Sequence, residues 1–128
     1  MGQEARIART LIRPATIADV YAVARRLRVE DAAEATALGK DPRRALRTAF
    51  RASLLPPKLF VVDGEPAAIF GLAGDILSDV GEPWLLTTAA VERAPVSFVR
   101  GARLELAVML EHKPRLENCV AADYAKAI

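Results

Sequence analysis

The chain has 128 residues, of which 52% are apolar and 27% charged, and its formal net charge is +2. A chain of this length fits one domain, so we expect residues 1–128 to fold around a single core. Its apolar runs are far shorter than the roughly 20 residues that cross a bilayer, and its N-terminus lacks a signal-peptide core, so we expect a cytoplasmic protein without a membrane span.

The N-terminal half is predicted to contain one strand and three helices. A short apolar strand at residues 10–14 leads into a helix, and Thr16 with Asp19 three residues later has the spacing of a capping box at its start. A second helix is predicted over residues 29–38, before a glycine. A third helix, residues 42–54, begins with an Asp-Pro pair that supplies an N-cap and an N1 proline.

The N-terminal half is also the basic half of the chain. Residues 1–53 carry eleven Lys/Arg against six Asp/Glu, whereas the remainder carries seven against ten. Within the third predicted helix, Arg43, Arg47 and Arg51 are spaced by four and form one stripe. Such a stripe is typical of a solvated helix face, and contact with nucleic acid or a phosphate is the alternative that it leaves open.

The C-terminal half is predicted to add four strands and a long helix. The first two strands flank Asp63-Gly64, a dipeptide that suits a tight hairpin turn. The fourth strand, PWLLTT at residues 83–88, precedes a helix over residues 95–112. A fifth strand, LENCVAA at residues 116–122, leads into the first turns of another helix. The buried stripe of the long helix is predicted to consist of Val99, Ala102, Leu106, Met109 and Leu110.

Three residues that could carry chemistry are assigned structural roles. Cys119 lies in an apolar run and is expected to be a small buried hydrophobe. His112 lies at a helix end, where it interacts favourably with the helix dipole. Trp84 is expected to be a core or interface anchor. Because the chain has one cysteine and one histidine, an internal disulfide and a Cys/His-rich metal site are excluded, and we expect no bound metal.

The order of these elements, opening with LIRPATIADV at residues 11–20, resembles the GCN5-related N-acetyltransferase (GNAT) fold. The segments PWLLTTAAVERAPVSFVRG and PRLENCVAADYAKAI are similar to GNAT-like proteins of tailed phages and prophages, related to the internal virion protein of short-tailed phages. The resemblance covers nearly the whole chain. It implies an α+β fold with a central, mostly antiparallel sheet flanked by helices.

In that fold, backbone amides at the turn after strand four hold the pyrophosphate of acetyl-CoA, in the pattern Arg/Gln-x-x-Gly-x-Gly/Ala. The glycines let the backbone approach the phosphates, and the helix N-terminus attracts an anion. Arg93 matches the pattern, but Val96 and Phe98 replace the glycine and the small residue, and Pro95 lacks an amide donor. The resemblance therefore implies that the usual cofactor contact is lost and that no cofactor is bound.

The catalytic groups that the resemblance implies are also missing from their usual positions. Members of the fold use a general base, often a carboxylate on or near strand four, and often a tyrosine on the next helix. The predicted strand PWLLTT has no acid, and the nearest carboxylate, Glu92, is more typical of a solvated surface residue than of a base. Matching AKAI to the family pattern Asn-x-x-Ala-Ile places Tyr124 at the asparagine position and the catalytic tyrosine beyond Ile128.

The same alignment implies that the last helix is cut short and that the last two strands of the fold are missing. The edge of LENCVAA would then be an unpaired apolar strand, which proteins normally cover. We therefore expect either a fragment or an edge covered by a partner, including a second copy in a homo-oligomer.

Together these features lead to a first hypothesis and two alternatives. The first is a GNAT-like phage or prophage protein without enzymatic activity, which has a structural or accessory role in the virion, contacts other virion proteins and is found in the host cytoplasm or the particle. The second is an N-acetyltransferase that transfers an acetyl group from acetyl-CoA to an unknown amine. In that case the phosphates are held by Arg93 and by the backbone around Ser97, Phe98 and Val99. The third is nucleic-acid binding through the arginine stripe, which we consider the least favoured.

Overall fold

The computed structural model describes residues 7–27 and 41–117. Within these ranges the chain forms five strands and three α-helices. The strands are β1 (Thr10–Pro14), β2 (Lys58–Val62), β3 (Glu65–Ala73), β4 (Val80–Thr87) and β5 (Arg115–Leu116). The helices are α1 (Ile17–Ala24), α2 (Pro42–Ala52) and α3 (Pro95–His112), and a 3-10 turn (Ala89–Arg93) connects β4 to α3.

The five strands form one sheet in the order β1-β2-β3-β4-β5. The first four strands are antiparallel, and β5 lies parallel to β4 through the pairs Val80–Arg115 and Gly81–Leu116. The mixed, mostly antiparallel sheet and its flanking helices confirm the predicted α+β class. Of the fifth strand predicted over residues 116–122, the structure describes residues 116 and 117. The rest of that prediction lies outside the described residues, as does the helix predicted over residues 29–38.

The start of α1 has the predicted capping box. The Thr16 side chain accepts a hydrogen bond from the Asp19 backbone N–H, and the Asp19 carboxylate accepts one from the Thr16 backbone N–H at 2.7 Å. The Arg13 guanidinium of β1 donates two hydrogen bonds to the same carboxylate, at 2.8 and 3.0 Å. These bonds from Arg13, and then those from Thr16, hold the pKa of Asp19 below its usual value despite burial. The first strand and the first helix are thereby joined by one carboxylate.

The β2–β3 hairpin turns at Asp63-Gly64 as predicted. Both residues have positive φ angles, 49° and 79°, which fits the two-residue turn of type I′ that hairpins favour. A change of register after Phe60 leaves Ala67 without a partner on β2, so β3 has a bulge there. The Ala67 carbonyl in this bulge accepts a hydrogen bond from the N–H of Thr88, the residue that follows β4.

The sheet is covered on both faces. On one face, α1 and α2 pack against β2 and β3, and the buried residues of that layer are Val20, Val23, Leu46, Leu59, Val61 and Ile69. On the other face the buried residues come from β2, β3 and the 3-10 turn, and Phe98 of α3 packs against them: Phe60, Val62, Ala67, Ala68, Val91 and Ala94. Along β2, Leu59 and Val61 face one side and Phe60 and Val62 face the other, because successive side chains of a strand point to opposite faces.

Three sequence predictions need correction. Strand β4 begins at Val80, before the predicted start at Pro83, and α2 ends at Ala52, where Ser53 donates its hydroxyl to a backbone carbonyl of the last turn. The predicted buried stripe of α3 is wrong in three of its five residues, because Val99, Leu106 and Leu110 are exposed. The side of α3 that faces the sheet instead contains Gly101 and the half-buried Glu105, which hydrophobic periodicity does not select.

Candidate functional site

The connection from β4 to α3 has the strand-turn-helix geometry that the sequence predicts. The buried Thr88 fixes it: its hydroxyl donates to the Pro66 carbonyl at 2.8 Å and accepts from the Ala90 N–H at 3.2 Å, while its N–H donates to the Ala67 carbonyl. One threonine therefore caps the 3-10 turn and ties it to the bulge of β3. The segment that leads into α3 is therefore positioned by hydrogen bonds to the sheet.

The N-terminus of α3 lacks a side-chain cap. Ala94 occupies the N-cap with φ −145° and ψ 57°, and its methyl group accepts no hydrogen bond. Pro95 has no N–H, and the Phe98 N–H already donates to the Ala94 carbonyl at 3.0 Å. The first N–H groups of a helix have no partner within it, so the amides of Val96 and Ser97 are the donors that α3 presents at this end. The Val96 side chain is 68% exposed, which places this turn at the surface.

Arg93, the residue that matches the phosphate-binding pattern, lies beside this helix end but is bound elsewhere. Its guanidinium forms a 3.1 Å ion pair with Glu65 and donates to the Val62 carbonyl at 3.5 Å. Both side chains of the ion pair are about half exposed, so the pair is screened and contributes little to stability.

The obstruction that the sequence suggested at Phe98 is absent. Its ring packs against Phe60 in the core, with ring centroids 5.6 Å apart. The bulk of Phe98 therefore lies beneath the helix, not over its first amides. Val96 and Val99 are exposed on the outer side, so of the two bulky substitutions in the turn, only that at Val96 lies at the surface of the helix end.

Two exposed carboxylates lie on the elements that lead into α3, one in the 3-10 turn and one near the start of β4. Glu92 lies in the 3-10 turn. Glu82 lies on β4, and because side chains two residues apart on a strand share a face, it lies on the same face of the sheet as Trp84. Sequence analysis missed Glu82 because it predicted that the strand began at Pro83. A carboxylate on this strand is therefore present after all.

Trp84 has the anchoring role that the sequence predicts. Its indole N–H donates to the Ser53 hydroxyl at 3.1 Å, and its ring packs with the α1 and α2 layer. Gly71 lies opposite it on β3, where a Cβ would come within 2.7 Å of the ring. The glycine provides the space in which the indole lies.

Two charged residues of α3 and its C-cap were not singled out by the sequence. Glu105 forms a 2.9 Å ion pair with Lys58 of β2, and its side chain is mostly buried. Lys113 caps the C-terminus of α3 and is 7% exposed. Its ammonium donates to the carbonyls of Asp75 and Ile76, at 2.8 and 3.2 Å, and to that of Ser78. No motif marks either residue, because their partners come from distant segments.

The three arginines of the predicted α2 stripe differ in burial. Arg43 and Arg51 are exposed, whereas Arg47 is half-buried and its guanidinium lies 3.5 Å from the Tyr21 hydroxyl of α1. The stripe therefore includes one residue that also packs between helices. Among residues 7–27 and 41–117, no group of three or more His, Cys, Asp or Glu side chains is arranged to hold a metal ion. No helix in the same ranges combines the length and apolarity needed to cross a bilayer.

The chain matches no family model and no curated protein. Its fold is similar to that of several solved structures, including the following three. A possible acetyltransferase from Clostridium difficile aligns with TM-score 0.55 at 13% identity, over 92% of this chain and 85% of that one. A GNAT-family acetyltransferase from Streptococcus pneumoniae aligns with TM-score 0.52 at 16% identity, over 93% and 79%. A probable acetyltransferase of unknown function from meticillin-resistant Staphylococcus aureus aligns with TM-score 0.51 at 10% identity, over 94% and 85%. The chain has the GNAT-like fold.

Proposed function

We propose that this chain binds the pyrophosphate of acetyl-CoA at the N-terminus of α3 and transfers the acetyl group to an amine. The observation that carries the proposal is the uncapped start of α3, after β4 and the 3-10 turn, where the amides of Val96 and Ser97 have no side-chain acceptor. Amides at a helix N-terminus, together with the positive end of the helix dipole, favour an anion. The acetyltransferases of similar fold give the chemistry of that anion.

The residues of this end fit a pyrophosphate in part. The two amides and the Ser97 hydroxyl are donors, and Arg93 adds a guanidinium once it exchanges Glu65 for a phosphate. Pro95 contributes no donor. The fit therefore rests on fewer amides than a glycine-rich turn supplies, and we expect binding in the micromolar range, not tighter.

Acetyl transfer requires the amine to lose a proton, its nitrogen to attack the thioester carbonyl and the thiolate to leave and take up a proton. Acetyl-CoA supplies the activated acyl group. On this chain the proposed proton acceptor is Glu82, the carboxylate of β4. It replaces Glu92, which lies in the 3-10 turn rather than on the strand.

Isothermal titration calorimetry with acetyl-CoA tests the binding step. Val96→Glu places a negative charge in the first turn, where it stabilises the helix but repels a phosphate, so we expect binding to weaken at least about tenfold without loss of melting temperature. Ala107→Glu is the matched control, because Ala107 is exposed on the same helix far from its start. No binding at millimolar acetyl-CoA, or equal binding by both variants, would overturn the proposal.

Release of CoA thiol across a panel of amines tests the transfer step. We expect Glu82→Gln to lower the turnover rate while leaving acetyl-CoA affinity unchanged, and Glu111→Gln, at an exposed position late in α3, to change neither. If Glu82→Gln retains the full rate, the assignment of the base is wrong.

A second candidate is the structural or accessory virion role without catalysis. It is favoured by the ion pair that occupies Arg93 and by the proline at the first helical position. This candidate predicts that the folded chain neither binds acetyl-CoA nor releases thiol, and micromolar binding would exclude it. Proteins of a virion and a second copy at the edge of β5 are the partners that it proposes.

A further inference from the structure

A cavity of about 230 Å³ lies between α3 and the sheet. It is distinct from the helix end described above, because its lining includes neither Val96 nor Ser97. Its α3 residues run from Phe98 to Met109, roughly 5 to 21 Å along the helix axis from Pro95. Its walls are apolar and aromatic. The side chains that form most of them are Ile12, Phe60, Phe70, Leu85, Phe98 and Met109.

The cavity exists because α3 presents small residues to the sheet. Gly101 has no side chain, and a Cβ there would lie 3.1 Å from Cδ1 of Ile12, closer than an ordinary contact, so a larger residue would push into the cavity wall. Ala102 beside it contributes one methyl group. Protein interiors are normally packed without voids larger than a water molecule, so a space of this size under a helix is unusual.

The charge at the cavity is already neutralised. Glu105 is the one charged residue among the lining residues, and the Lys58 ammonium lies 2.9 Å from its carboxylate. An additional charge on a ligand would have to break this pair or lie unpaired in an apolar space, which is costly. The cavity therefore selects for an uncharged ligand.

The cavity also has a way in. Leu85 of β4 and Leu106 of α3 both line it and are 44% and 41% exposed, so they form an apolar rim at the surface. A ligand from solution can reach the cavity through this rim.

We propose that this cavity binds an uncharged, apolar molecule the size of one or two aromatic rings. An engineered cavity of about 150 Å³ lined by similar side chains stays dry and binds benzene, and the present volume exceeds that by roughly one half. Indole is close to this size, and its N–H has the Glu105 carboxylate within the same lining as an acceptor. The proposal does not depend on acetyl-CoA binding.

Titration of the full chain with indole, followed by the NMR signals of the Ile12 and Met109 methyl groups, tests the proposal. We expect saturable shifts with a dissociation constant below about 1 mM. Ala102→Leu fills the space and is expected to weaken binding at least about tenfold, whereas Ala107→Leu adds the same groups at an exposed position of α3 and is expected to leave it unchanged.

A second measurement and three contrary results complete the test. If Ala102→Leu does not fold, xenon applied to the unchanged protein locates an empty apolar cavity through the same two methyl signals. An absence of shifts with both indole and xenon would overturn the proposal. So would shifts that Ala102→Leu leaves intact, or methyl signals that change with protein concentration instead of indole, since these would mean that a second copy occupies the space.

Discussion

Lys113 is expected to hold the loop between β3 and β4 against the end of α3. Lys113→Met keeps the apolar stem and removes the ammonium, and with it three hydrogen bonds to the carbonyls of Asp75, Ile76 and Ser78. A hydrogen bond with a charged donor contributes about 1.5 to 3 kcal/mol. The loop is exposed at Ile76, so water replaces part of this loss, and removal of the cost of burying a charge offsets more.

These opposing effects leave an expected loss of about 2 to 3 kcal/mol in the free energy of unfolding, or roughly 8 to 12 °C in melting temperature for a domain of this size. Urea titration followed by circular dichroism measures it. Arg115→Met is the control: it removes a cation two residues away whose side chain is 71% exposed and paired with Glu117, and we expect a change within about 0.5 kcal/mol. If both variants lose the same stability, the loop carbonyls do not depend on Lys113.

Two further predictions concern the N-terminal half. Asp19 has a folded pKa below its unfolded value of about 3.9, so the stability it contributes is present above that pH and is lost as the pH falls through the folded pKa. We therefore expect Asp19→Asn to lower the free energy of unfolding by about 1 to 2 kcal/mol at pH 7. In urea titrations, the difference from the unchanged protein should shrink below about pH 4. A difference independent of pH would contradict the stabilising role of the ionised Asp19. If the stripe of α2 binds nucleic acid, its binding to duplex DNA, measured by fluorescence anisotropy, should weaken with added salt and be lost when Arg43 and Arg51 are both changed to Glu. If binding persists in this variant, or if the unchanged protein does not bind DNA, the stripe is a solvated helix face.

Local signals in the sequence predicted the parts of the fold that depend on neighbouring residues. The capping box of Thr16 and Asp19 and the Asp63-Gly64 turn both formed, because each needs only a few consecutive residues with the right side chains. The start of β4 was missed because Val80 and Gly81 extend the strand through pairing with Arg115 and Leu116, residues far along the chain. Backbone pairing of this kind leaves no local pattern.

The face of α3 could not be predicted from hydrophobicity for a similar reason. Its sheet-facing positions include Gly101 and Glu105, and the latter is compensated by Lys58, 47 residues earlier. Periodicity assigns such residues to solvent and assigns Val99 and Leu110 to the core, although both are about half exposed. The candidate site was located from the strand-turn-helix order, but the inward direction of Phe98 depends on its contact with Phe60 and required coordinates.

The two ends of α3 differ in a way that bears on function. At the C-terminus, the cationic residue Lys113 occupies the C-cap and donates its backbone N–H to the Met109 carbonyl, so the negative end of the helix dipole is capped and carries a positive charge nearby. At the N-terminus there is no acidic residue in the first turn and no side-chain cap, so nothing within that turn balances the positive end. A helix selected only for stability gains from an acid or a hydroxyl at this end. If an anion binds in place of the missing cap, acetyl-CoA or inorganic pyrophosphate should raise the melting temperature of the unchanged protein. Val96→Glu should raise the melting temperature without these ligands and abolish the increase that they cause.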